Sequence, residues 1–181
     1  LRRLLEDFQS VLNRGLAILN GCTEKQARWK PGPDQWSVLE CVDHARETLV
    51  SYQEKIDKAL AVAAPGSGIE KCTPGWRGRV FAYSMEPPYA FKMKTFRSFH
   101  PQTEMQVREV REAFVRDFRR FMKTLEKASK QHDLSTIIIS SPVTRLVKMS
   151  VCDAAVFLAA HSRRHLWQAE QLAQWPGYPK D

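Results

Sequence analysis

Apolar residues recur three or four positions apart along most of this chain, the interval that lines one face of an α-helix. In residues 1–20 the set is Leu4, Leu5, Phe8, Val11, Leu12, Leu16 and Leu19, and Gly21 supplies a stop. A second stripe, Val38, Val42, Ala45, Leu49, Tyr52, Ile56 and Leu60, follows Ser37-Val38-Leu39-Glu40 and ends near Pro65. That tetrad is a capping box, in which the serine hydroxyl and the Glu40 carboxylate each satisfy a backbone N–H that the helix leaves unpaired. Thr103-Glu104-Met105-Gln106 predicts the same device ahead of a third stripe, Val107, Val110, Phe114, Phe118, Phe121, Leu125 and Ala128. The fourth helix opens at Ser150-Val151-Cys152-Asp153 and runs to about Trp175, where Pro176-Gly177 blocks continuation. Such sustained helical periods predict an all-α fold, a four-helix bundle, in one domain spanning 1–181.

The connections carry different signals. Residues 29–36 are turn chemistry, rich in Pro and Gly and framed by Trp29 and Trp36. About 40 residues, 63–102, separate the second and third helices, a length that implies a function or short structure of its own. Within them 76–84 predicts a short helix, and 89–99 reads as an extended run lying along the helices. The segment 137–149, with Pro142, reads as irregular.

Composition narrows the class. A hydrophobic fraction of 43% with 27% charged residues is that of an ordinary globular protein. The longest apolar run, 154–160, falls far short of the roughly 18 residues of a membrane span, so no membrane association is expected. Cys22, Cys41, Cys72 and Cys152 are widely separated and form no C-x-x-C pair, which points away from a thiolate metal site or a disulfide framework. With no leader pattern visible, a reducing, cytoplasmic setting is the simpler expectation. The net charge of +8 is spread along all segments, and between Arg108 and Lys130 the cations alternate with acids and phenylalanines. This describes a solvated basic surface and not a nucleic-acid partner.

The fourth helix is the most specific segment. Val151, Ala154, Leu158, His161, His165, Ala169 and Leu172 fall within one arc, while Arg163 and Arg164 point away. Two imidazoles one turn apart therefore project from an apolar face. Burying both is costly unless each finds a partner. A divalent ion could hold both, since neutral imidazole is a favoured ligand; two hydrogen-bonded or half-exposed histidines would fit the pattern too. A third ligand must come from another helix. His44 lies seven residues after the Ser37 cap, but the wheel puts it roughly 120° from the centre of its helix's stripe, where an exposed histidine is common. His100, beside Pro101, and His132 read as surface residues.

Two segments resemble one family. Trp36-Ser37-Val38-Leu39-Glu40-Cys41-Val42-Asp43-His44, preceded by Lys30-Pro31-Gly32-Pro33, is similar to the opening of the second helix in the DinB-like (DinB/YfiT) helical-bundle superfamily. The segment from Ala160 through His161 and His165 to Gln168 resembles that family's last helix, with its H-x-x-x-H pair and following glutamine. The resemblance implies a four-helix bundle with one long crossover between helices two and three. It also implies a metal held by His44, His161 and His165; ligation by imidazole alone suits Zn, Ni, Fe or Cu, of which Zn, Ni or Fe are expected foremost. The family includes hydrolases and S-transferases that use low-molecular-weight thiols such as bacillithiol or mycothiol, and its members are often dimers.

Three imidazoles leave a position open on the ion, as catalytic metal sites do. The expectation is thus a metal-dependent hydrolase or thiol S-transferase acting on a small molecule. The alternative is a non-enzymatic metal-binding or stress-response protein. Glu40, Asp43, Glu47 and Glu170 are the candidate acids and bases near the site. Trp36, Trp76 and Tyr89 are candidates for the pocket mouth, and Trp167, on the polar side of the fourth helix, for a homodimer contact.

Overall fold

A computed structural model describes residues 1–64, 66, 72–88, 104–144 and 146–180. Among these residues eight elements follow one another: α1 (Arg2–Asn20), α2 (Glu24–Arg28), α3 (Val38–Val62), α4 (Trp76–Met85), α5 (Val107–Ser129), β1 (Ile138–Ser140), β2 (Lys148–Ser150) and α6 (Val151–Leu172). The protein is mostly helical. Of its four long helices, α3 and α6 pack on each other, α1 lies against α6 and α5, and α5 returns against α3. Among the described residues no helix is long and apolar enough to cross a membrane.

The apolar stripes meet in an aromatic centre. Phe8 of α1 lies 5.0 Å from Phe121 and 6.3 Å from Phe118, centroid to centroid, and Phe118 lies 4.2 Å from Phe114. Phe8, Phe114, Phe118 and Phe121 are all fully buried. Gly15 lets α1 approach α5 here, since a Cβ at that position would stand 2.5 Å from Cε1 of Phe114.

Helix starts follow their capping residues. At α3, Glu40 N–H donates to Ser37 Oγ (3.2 Å) and Ser37 N–H donates to Glu40 Oε2 (2.8 Å). At α6, Ser150 and Asp153 make the same exchange. The third long helix departs from expectation. It starts at Val107 behind Gln106, whose N–H donates to Glu109 Oε2 at 2.7 Å, and not at the predicted Thr103, which lies outside the described residues. The helix α6 ends at Leu172, three residues short of Trp175. There the N–H groups of Gln174 and Trp175 reach back only three residues, to Gln171 and Leu172, and tighten the last turn.

The short helix expected at 76–84 is α4, which lies on α6. Three contacts hold its start. Gly75 N–H donates to Asp153 Oδ1 at 2.7 Å, Gly78 lies so close that a Cβ would meet the same oxygen at 2.1 Å, and a disulfide joins Cys72 to Cys152. The wide cysteine spacing gave no sign of this bond, which removes the argument drawn from that spacing for a reducing compartment. A gap of 80 residues hid the pair from any spacing rule. The extended run expected at 89–99 lies outside the described residues.

The connection before α6, expected to be irregular, holds an antiparallel pair. Ile138 faces Ser150, Ile139 faces Met149 and Ser140 faces Lys148. Strands of three residues are too short to leave a period in the sequence. His132, expected at the surface, is buried, with Nδ1 3.1 Å from the Ala64 carbonyl oxygen.

Candidate metal centre

The N-terminal half of α3 is unusual in having no exposed side. Every residue from 37 to 46 is buried, because α2, α5 and α6 all contact this helix. A wheel assumes one solvated face, and here that assumption fails. His44, placed by its stripe on a flank, is therefore 4% exposed. The helices α3 and α6 run antiparallel, since Trp36 lies near His165 at one end and Tyr52 near Phe157 further along. This arrangement brings His44 opposite the His161–His165 pair.

The three imidazoles converge. One ligand atom from each of His44, His161 and His165 lies within 4.8 Å of the others, and among the described residues this group contains no carboxylate and no thiol. His161 Nε2 and His165 Nε2 stand 3.2 Å apart. The ring of His44 has its centroid 5.1 Å from that of His161 and 4.5 Å from that of His165. Nitrogens sharing one tetrahedral ion with bonds of about 2.0–2.1 Å stand roughly 3.3 Å apart. The donor set and its spacing fit a divalent metal.

The surroundings keep the two imidazoles of α6 neutral. Burial, reinforced by His44 and Arg164, pushes His161 down to about 3. His165 is held well below the usual imidazole range, by burial first and then by His161, His44 and Arg164, against a smaller opposing pull from Gln168. Neutral imidazole is the ligating form. Arg164 acts here because it is only 6% exposed, which corrects the expectation that it points away with Arg163. Arg163 does point outward, to ion pairs with Glu86 and Asp7.

Apolar rings enclose the site. Trp36 lies 4.7 Å from His44 and 5.5 Å from His165, centroid to centroid. Phe157, one turn before His161, lies 5.4 Å from it. Trp76 does not belong here. It is 66% exposed at the start of α4, beside Asp153, about 12 Å along α6 from His161 at 1.5 Å per residue. Tyr89 and His100 lie outside the described residues. Trp167 is half-buried and not an exposed aromatic.

The candidate acids and bases are engaged elsewhere. Glu40 caps α3 and accepts from Lys30 at 2.6 Å, and Glu170 accepts from Arg14 at 2.5 Å. Asp43 is fully buried and bonded to Arg46, which also reaches Glu47 and, at 3.1 Å, Asp117. Gln168, named in the sequence only as the glutamine that follows the histidine pair, makes a contact with the site that was not predicted. Its Oε1 lies 3.2 Å from His165 Nδ1, and its place three residues further on the same helix was the available signal.

The sequence model described as the DinB superfamily matches residues 7–169, from within α1 almost to the end of α6. This chain belongs to the DinB superfamily. Neither a curated protein nor a solved structure matches it. All three histidines of this DinB-superfamily chain, with Trp36 and Gln168 beside them, fall inside the matched interval.

Proposed function

We propose that this DinB-superfamily chain is a metal-dependent enzyme, a hydrolase or low-molecular-weight-thiol S-transferase, on a four-helix bundle with a long crossover between α3 and α5. His44, His161 and His165 are its metal ligands. The reading rests on one observation: three buried imidazoles converge from two helices with no fourth protein ligand among the described residues. A divalent ion in such a site supplies a Lewis acid that activates water or a thiol toward a small electrophile. His161 and His165 resist protonation at neutral pH because burial disfavours their charged form. Trp36 and Phe157 exclude water from the rings' outer faces.

The test is turnover of a panel of esters and thiol conjugates by tag-free protein. The expected result is activity that a chelator removes, that the divalent ion restores, and that His165→Ala abolishes without unfolding the chain.

A second reading, a non-enzymatic metal-binding protein, is favoured by the engagement of Glu40, Asp43, Glu47 and Glu170 with cations, which leaves none of them as a free base. Chelation that melts the fold, with no substrate of the panel consumed, would establish it.

A further inference from the structure

We propose that Gln168 is a positioning residue: by accepting the Nδ1 hydrogen of His165, it leaves Nε2 bare toward the other two imidazoles. The inference rests on the three-histidine metal reading above. Gln168 Oε1 lies 3.2 Å from His165 Nδ1, and His165 Nε2 lies 3.2 Å from His161 Nε2. An amide oxygen can only accept, and a neutral imidazole carries one hydrogen, so this contact places that hydrogen on Nδ1 and the lone pair on Nε2. The opposite orientation of the amide would present its NH2 to Nδ1. It would then move the imidazole hydrogen to Nε2, where it would block coordination.

The two imidazoles of α6 are unequal in this respect. Among the described residues His161 Nδ1 is buried and has no hydrogen-bond partner, so none of them outside the three imidazoles fixes the tautomer of that ring. His165 is braced and His161 is not. An outer hydrogen bond of this kind orients a ligand ring and raises its basicity, and its loss typically weakens metal affinity about 10–100-fold. The bland alternative is a half-buried helical glutamine whose contact with the ring is incidental.

Two variants and two measurements decide. Gln168→Leu keeps the bulk and removes the acceptor, whereas Gln168→Glu keeps an acceptor at the same reach. Imidazole ¹⁵N shifts of the metal-free protein report which nitrogen of His165 carries the hydrogen, and zinc competition with a chromophoric chelator reports affinity. The expected result is an Nδ1–H tautomer at His165 in the wild type, lost in Gln168→Leu. Zinc affinity should fall about 10–100-fold in that variant and be largely restored in Gln168→Glu, with similar melting temperatures throughout. Wild-type zinc affinity in Gln168→Leu overturns the proposal. So does a wild-type Nε2–H tautomer, or an affinity loss that tracks melting temperature and is not restored by glutamate. A wild-type chain that binds none of zinc, nickel or iron overturns the metal reading itself, which an inert Gln168→Leu substitution leaves standing.

Discussion

Histidine is an expensive residue to bury, and this chain buries three against one another. Unfolded, His161 takes up a proton near 6.5; folded, it resists protonation down to about 3. Between those values the unfolded state binds more protons, so stability rises with pH there. The contribution is complete above about 6.5 and is lost as pH falls toward 3, with a limiting slope of about 1.4 kcal/mol per pH unit for each such group. His165 is shifted in the same direction. Urea unfolding of metal-free protein should therefore give a lower free energy at pH 5 than at pH 7.5, and His161→Leu should reduce the difference. Equal stabilities at the two values would contradict the account. Arg46 poses the opposite problem, a buried cation shared by Asp43, Glu47 and Asp117. Arg46→Ala should cost about 3–5 kcal/mol in the same unfolding assay, because the fully buried Asp43 loses a charge partner.

Among the elements, α4 sets helix propensity against packing. Gly78→Ala should gain about 1 kcal/mol on propensity alone. The added Cβ, however, meets Asp153 Oδ1 at 2.1 Å, and that carboxylate is held by the N–H groups of Gly75 and Ser150. Packing should win, with a loss of about 1–3 kcal/mol in thermal melts; a stabilised variant would show that α4 moves freely on α6. The long helices were legible because Phe114, Phe118, Phe121 and Leu125 repeat a period that solvent on one side enforces. The start of α3 was legible at Ser37 and Glu40, since capping acts within four residues. His44 was not legible from its period, because the half of α3 that carries it is enclosed on all sides; the segment's resemblance to the family supplied what the wheel could not. The β1–β2 pair and the Cys72–Cys152 bond depend on contacts that no local period records.

For the whole molecule, the disulfide closes a gap of 80 residues that includes the connection between α4 and α5. Loop-closure entropy makes such a crosslink worth about 4 kcal/mol. Reduction should lower the melting temperature clearly while leaving metal affinity nearly unchanged, since Cys152 lies about 13 Å along α6 from His161. Coincident melts with and without reductant would contradict this. The account as a whole depends on two separate helices delivering their imidazoles to one ion. Elemental analysis of tag-free protein, repeated on His44→Ala and His165→Ala, tests that claim most directly. The account predicts one divalent ion per wild-type chain and its loss from both variants. A wild type that takes up no zinc, nickel or iron, or a His44→Ala variant that retains the ion as fully as the wild type, would contradict it.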